Sequence, residues 1–186
     1  MTLHVVPINH CNACGARVDY RVPPGDTHAR AVCPACGHIQ YQNPKVVVGS
    51  VPVWEDRILL CRRAIEPRHG KWTLPAGFME NNETAPEGAA REALEEANAR
   101  IEVEQLYTLF SVPHISQVYV LFRARLLDLD FSPGTESLEV KLVREDEIPW
   151  DELAFACVRR TLAHFFEDRR TGMYLPRFGE IRPPER

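Results

Sequence analysis

The apolar positions of the chain form short β-branched runs and longer stretches with helical spacing, a mixture typical of α/β proteins. Two apolar runs, Val46–Val53 and Arg57–Arg62, are separated by an acidic pair, which predicts a β-hairpin. Three further strands are expected, around Ile101–Val112, Gln117–Leu127 and Leu138–Val143.

Helical signals occur in two places. Thr84 and Glu87 have the spacing of a capping box, with proline in the first turn, and predict a helix from about Ala85 to Asn98. A second helix is expected from about Trp150 to Asp168, where an apolar stripe recurs with helical spacing. Helices mixed with an antiparallel hairpin predict an α/β sandwich.

Four of the six cysteines form two Cys-x2-Cys pairs, each followed by glycine. The pairs are Cys11 with Cys14 and Cys33 with Cys36. This spacing is typical of a closed four-thiolate Zn²⁺ site in a reducing compartment, with no open position for chemistry. We therefore expect a zinc ribbon over residues 1–44, whose folding energy comes from the metal because so short a unit has little core. The other two cysteines, Cys61 and Cys157, are expected to be buried packing residues.

The composition is ordinary for a globular protein, with 45% hydrophobic and 26% charged residues among 186. A formal charge of −4 argues against nucleic acid as the main partner. No apolar run is long enough for a membrane span and no signal segment is evident, so we expect a cytoplasmic protein. The main domain is expected over residues 45–170, followed by an irregular, proline-containing tail over residues 171–186.

The first predicted helix carries three closely spaced carboxylates, Glu92, Glu95 and Glu96. They project within a sector of roughly 100°. A solvated acidic face is one interpretation, but like charges four residues apart destabilise a helix by roughly 0.2 to 0.5 kcal/mol. A bound Mg²⁺ or Mn²⁺ ion would remove that repulsion, and such ions bridge carboxylates to substrate phosphates. The pattern therefore favours metal-assisted hydrolysis of a diphosphate.

The surrounding residues read Gly77-x5-Glu83-x7-Arg91-Glu92-Ala93-Leu94-Glu95-Glu96. This order resembles the signature box of the Nudix hydrolases, G-x5-E-x7-R-E-U-x-E-E-x-G-U, although Asn98 replaces the usual glycine. The resemblance implies an α/β/α sandwich with a mixed sheet. It also implies that the three glutamates of the predicted helix bind the catalytic metal, with the Gly77 carbonyl as a further ligand. Glu95 and Glu96 would be catalytic, and a charge pair between Glu83 and Arg91 would join the loop to the helix.

Many Nudix enzymes use a further catalytic or metal-binding glutamate from a later loop, which could act here as general base. Two acids follow the glycine of such a loop here, Glu136 and Glu139. Both also fit surface acids at the start of a strand, and the sequence does not choose between them.

The substrate is less clearly indicated than the reaction. A zinc ribbon before the box resembles the NADH diphosphatases, but their S-Q-P-W-P-F-P-x-S array is absent from Ser111–Tyr119. The chain looks more like a related subgroup that cleaves ADP-ribose and FAD, and homodimers are common among similar enzymes, which leaves a homodimer open. The alternatives are an NADH or NAD-cap diphosphatase, and a non-catalytic nucleotide sensor whose ribbon binds nucleic acid or a protein partner.

A nucleotide diphosphate needs cations for its phosphates and aromatic groups for its base. The cationic candidates are Arg62, Arg63 and Arg68, and the candidates for stacking are Trp72, Phe78, His114 and Tyr119. Each of these residues also fits an ordinary strand or core role.

Overall fold

The computed structural model describes residues 7–183. The chain divides into two compact units, Met1–Pro44 and Lys45–Arg186. The first unit is a three-stranded antiparallel sheet in the order β1-β2-β3. Its strands are β1 Asp19–Arg21, β2 Arg30–Val32 and β3 Ile39–Gln40.

The second unit is built on an eight-stranded mixed sheet. Its strands are β4 Lys45–Trp54, β5 Arg57–Arg63, β6 Trp72–Thr73, β7 Ala76–Phe78, β8 Ile101–Val112, β9 Gln117–Leu126, β10 Ser137–Val143 and β11 Arg177–Glu180. The order is β10-β5-β4-β9-β8-β11, with β6 paired to β5 and β7 paired to β4. The pairs β4–β9 and β8–β11 are parallel and the others are antiparallel. The predicted hairpin and the three later predicted strands are confirmed within one residue.

Two helices cover the sheet, α1 Ala85–Ala97 and α2 Ala156–Thr171. Alternation along β5 separates two cores: Ile58 and Leu60 join the cluster containing α2, whereas Leu59 and Cys61 join the one containing the end of α1. Side chains of a strand alternate between the faces of its sheet, so the helices lie on opposite faces. The second unit is therefore the expected α/β/α sandwich. Within residues 7–183, neither helix is long and apolar enough to cross a membrane.

Helix α1 has both of its predicted end signals. The Thr84 side chain accepts the backbone N–H of Glu87, and the Glu87 carboxylate accepts the backbone N–H of Thr84. At the other end Asn98 adopts the left-handed conformation, with φ of 47°. Asparagine thus replaces the family's glycine at a position that favours either residue.

The predicted start of the second helix is wrong. Residues Trp150–Glu152 form a 3-10 turn, and α2 begins only at Ala156. Between them the chain is extended, because the Ala154 N–H donates to the Trp72 carbonyl of β6 at 2.8 Å. Pairing with a strand distant in sequence cannot be read from helical periodicity.

The expectation of an irregular C-terminal tail is also wrong, because residues Arg177–Glu180 form β11. An ion pair between Arg177 and the buried carboxylate of Asp168 joins this strand to α2. Asp168 also accepts the Tyr107 hydroxyl at 2.7 Å. The strand is therefore held by one charged network as well as by its pairing with β8.

Replacing Asp168 with alanine leaves Arg177 and the Tyr107 hydroxyl without their shared acceptor. We expect Asp168→Ala to lower the free energy of unfolding of the second unit by about 3 kcal/mol. Urea unfolding followed by tryptophan fluorescence measures this, since all three tryptophans lie in that unit. Glu167→Ala, at a neighbouring exposed acid 3.6 Å from Arg177, is the control and should change stability by less than about 0.5 kcal/mol. Equal effects of the two substitutions would contradict the role of the buried carboxylate.

Candidate functional site

Arg91 is the centre of the ion-pair network on α1. Its Nε and Nη2 atoms donate to the two carboxylate oxygens of Glu83, each at 2.9 Å. Nη1 donates to Glu92 at 2.7 Å and to Glu95 at 2.8 Å, and Nη2 also reaches the Phe78 carbonyl at 3.0 Å. The expected charge pair between Glu83 and Arg91 is confirmed, and it lowers the pKa of Glu83 to about 2.

The three helix carboxylates have different surroundings. Glu92 and Glu96 are buried, with 7% and 6% of their surface exposed, whereas more than half of the Glu95 side chain is exposed. Burial, followed by the charge of Glu92, raises the pKa of Glu96 to about 8. Burial also raises the pKa of Glu92, although its bond to Arg91 opposes the shift. Two like-charged carboxylates are thus held out of water, and Arg91 contacts only one of them.

The backbone of β7 lies directly against these carboxylates. A Cβ atom on Gly77 would lie 2.4 Å from both carboxylate oxygens of Glu92, so the close approach requires glycine. The next residue back, Ala76, donates its N–H to Glu96 Oε2 at 3.3 Å. Carboxylate oxygens are hard ligands of the kind that Mg²⁺ and Mn²⁺ prefer, and such ions usually need only one or two protein carboxylates. The residues present therefore fit a divalent cation at Glu92 and Glu96.

The loop between β9 and β10 is attached to the C-terminal end of α1. Its Ser132 and Gly134 N–H groups donate to the carbonyls of Ala97 and Glu96, both at 2.9 Å. A Cβ atom on Gly134 would lie 1.8 Å from the Glu95 carbonyl oxygen, so this contact also requires glycine. The loop thereby satisfies carbonyls that the end of a helix leaves unpaired.

The two later acids lie in different places. Glu136 follows the attached loop, and its charge contributes to raising the pKa values of both Glu92 and Glu96. Glu139 lies on β10 opposite Arg62, with 3.8 Å between Glu139 Oε2 and Arg62 Nη1. The structure thus places Glu136 at the end of the loop attached to α1 and pairs Glu139 with an arginine.

The residues expected to bind substrate are only partly brought together. Arg63 is 9% exposed, its guanidinium carbon lies 5.2 Å from the centre of the Phe155 ring, and that ring lies 6.4 Å from the ring of Tyr119. Arg62 lies nearer solvent and donates to the Gly70 carbonyl at 3.0 Å. His114 lies in a 3-10 turn after β8, and its Nδ1 atom is buried with no hydrogen-bond partner among the described residues.

Sequence reasoning missed Phe155. The residue directly precedes α2, in the segment that was expected to be helical. Its contact with Arg63 follows from the attachment of the neighbouring Ala154 to β6. No local pattern around Phe155 indicates that contact.

The four paired cysteines meet in the first unit. Their sulfur atoms all lie within 4.8 Å of one another, and among the described residues no other group of three or more potential ligands does so. Four clustered sulfurs fit tetrahedral Zn²⁺. Cys61 and Cys157 are buried in the second unit, as expected.

Comparison with known proteins divides the chain within two residues of the boundary between the two structural units. A family model described as the NUDIX domain matches residues 43–165, and a zinc-ribbon model described as Nudix N-terminal matches residues 9–42. A NUDIX hydrolase of Nitrosomonas europaea with a known crystal structure is 58% identical, with a TM-score of 0.91 over 94% of this chain and 99% of that one.

Two relatives have more specific names. An ADP-ribose pyrophosphatase of Methanocaldococcus jannaschii is 28% identical over 121 residues, which are 62% of this chain and 69% of that protein. An NAD-capped RNA hydrolase of Shigella flexneri is 27% identical over 144 residues, which are 75% of this chain and 53% of that protein. The chain thus spans about half the length of the latter relative.

Removal of one thiolate tests the metal site of the first unit. Cys33→Ser should lose the stoichiometric zinc that we expect in the purified wild-type protein, because a hydroxyl replaces a thiolate ligand. Elemental analysis of dialysed protein measures this. Cys157→Ala, at a buried cysteine of the second unit, is the control and should retain zinc. Full zinc content in Cys33→Ser would contradict the assignment.

Proposed function

The chain belongs to the Nudix hydrolase family, and from that premise we propose that it is a divalent-metal-dependent hydrolase of nucleoside diphosphate derivatives. The observation that carries the proposal is the burial of Glu92 and Glu96 against the β7 backbone, at Gly77 and Ala76 respectively. Two buried like charges are unfavourable alone, and a cation stabilises them.

The metal-binding residues of the proposal are Glu92 and Glu96, with Glu95 and the Gly77 carbonyl as further ligands. Arg91 positions this set, because one guanidinium nitrogen holds both Glu92 and Glu95. When bound, Mg²⁺ or Mn²⁺ neutralises the diphosphate and polarises its phosphorus towards attack.

Glu136 is the general base of the proposal. The negative charge of Glu136 contributes to raising the pKa values of Glu92 and Glu96. Glu139 is instead paired with Arg62. Glu136 accepts a proton from a water molecule as the water oxygen bonds to phosphorus. The phosphoanhydride bond breaks, its electron pair leaves with the departing phosphate, and two monophosphates result.

ADP-ribose and FAD are the substrates we favour. The support is the resemblance of the chain to a subgroup that cleaves them, together with the named activity of the Methanocaldococcus relative. NADH and NAD-capped RNA are the alternative, since a relative of that class matches three quarters of this chain. The ribbon is a structural Zn²⁺ unit in this proposal, and its thiolates fit a reducing compartment such as the cytoplasm.

A substrate panel tests the proposal. Purified protein with Mg²⁺ or Mn²⁺ is compared on ADP-ribose, FAD, NADH and nucleoside triphosphates, with product phosphates identified by chromatography. We expect the highest kcat/KM with ADP-ribose or FAD. Higher values with NADH would shift the substrate to the alternative class. No turnover of any diphosphate would overturn the enzymatic proposal in favour of a nucleotide sensor.

Substitution of Glu136 and of Glu139 by glutamine gives a matched pair of variants that tests which acid is the general base. Glu136→Gln should lower kcat by about 10²- to 10⁴-fold with little change in KM, because a proton acceptor is lost while substrate contacts remain. Glu139→Gln should lower kcat by less than about threefold. Steady-state kinetics on the best substrate of the panel separates them. The reverse ranking would transfer the role of base to Glu139.

A further inference from the structure

Arg63 is a buried cation without a carboxylate partner. Its Nε atom donates to the Pro67 carbonyl at 2.9 Å, and only 9% of the residue is exposed. No carboxylate of residues 7–183 lies within 4.0 Å of its guanidinium nitrogens, whereas its neighbour Arg62 faces Glu139. A charge that is removed from water without a partner is unfavourable, and an anion that neutralises it is stabilised.

An aromatic ring lies beside the guanidinium, and it adds a second contact, besides the bond to the Pro67 carbonyl, that positions the group. Arg63 lies over Phe155, and Phe155 also packs against Tyr119. The backbone on both sides of Phe155 is bonded: Ala154 donates to Trp72 of β6, and the Phe155 carbonyl accepts the Arg159 N–H at 3.1 Å. A guanidinium that already lies over an aromatic ring loses less freedom when it binds an anion.

Arg63 also lies at the loop that reaches the metal-binding carboxylates. The next residue, Ala64, donates its N–H to the Glu136 carbonyl at 2.8 Å. Gly134, in the same loop, donates its N–H to the Glu96 carbonyl at 2.9 Å. Arg63 therefore adjoins the loop that is bonded to α1 at Glu96, and it forms no ion pair with a described carboxylate.

We infer that Arg63 binds a phosphate group of the substrate diphosphate next to the metal-binding carboxylates, and that Phe155 is the residue that positions it. The ligand class is a nucleoside diphosphate, whose oxygens accept the paired N–H groups of a guanidinium. This inference rests on the proposed function and deepens it. Arg62 is expected to contribute less to phosphate binding, because it lies nearer solvent and already faces Glu139.

Binding of ADP-ribose to the zinc-containing full-length protein, without added Mg²⁺ or Mn²⁺, tests the inference by calorimetry. Without the catalytic metal the substrate binds but is not consumed. Arg63→Met should raise Kd by roughly 10- to 100-fold, as expected for the loss of a charged hydrogen bond. Arg62→Met should weaken binding less. Arg57→Met, at the exposed start of the same strand, is the matched control and should leave Kd unchanged.

Phe155 is tested by a pair of variants. Phe155→Leu removes the ring but keeps an apolar side chain, and it should raise Kd by about 3- to 10-fold. Phe155→Tyr keeps the ring, and its Kd should lie within about twofold of the wild-type value. With Mg²⁺ present, Phe155→Leu should raise KM more than it lowers kcat, which a purely structural role would not produce. These variants also test the inference if Arg63→Met fails to fold.

The outcomes separate this inference from the proposed function. Equal Kd values for wild type and Arg63→Met, or for Phe155→Leu and Phe155→Tyr, would overturn the inference even if wild type hydrolyses ADP-ribose. Arg63-dependent binding without hydrolysis of any diphosphate would instead overturn the proposed function and support the subsite.

Discussion

The close contact of the β7 backbone with two buried glutamates, Gly77 against Glu92 and Ala76 against Glu96, is the constraint on which the site depends. Glu92 and Glu96 lie one turn apart on α1 and face the sheet, where their charges are poorly solvated. Arg91 compensates Glu92, but it contacts Glu83, Glu95 and the Phe78 carbonyl at the same time. In the proposed function a divalent cation neutralises the remaining negative charge and supplies the metal that the hydrolysis requires.

The rest of the fold holds α1 in this position. A capping box begins the helix, a left-handed Asn98 ends it, and the loop after β9 donates hydrogen bonds to its last carbonyls. That loop also determines where Glu136 lies. Hydrogen bonds that stabilise one helix end thus also hold the loop that carries the proposed general base.

Local patterns were sufficient to predict much of this arrangement. The spacing from Gly77 to Glu96 predicted the charge pair of Glu83 with Arg91, and the cysteine spacing predicted the sulfur cluster. Residues that act through distant pairing were not predictable. The late start of α2, the strand β11 and the contact of Phe155 with Arg63 each depend on partners far away in sequence. The choice between Glu136 and Glu139 stayed open for the same reason, since only the folded loop distinguishes them.

Binding of Mn²⁺ to wild type and to Gly77→Ala tests the central claim most directly. The added methyl group would lie 2.4 Å from the Glu92 carboxylate, which is the flexible end of a side chain and can move, and Gly77 does not adopt the left-handed conformation that alanine disfavours. The variant should therefore fold with an unchanged Tm and zinc content. Titration followed by electron paramagnetic resonance should show Mn²⁺ bound to wild type and a Kd raised about tenfold or more in Gly77→Ala. Equal affinities, or no Mn²⁺ binding by wild type, would contradict the account.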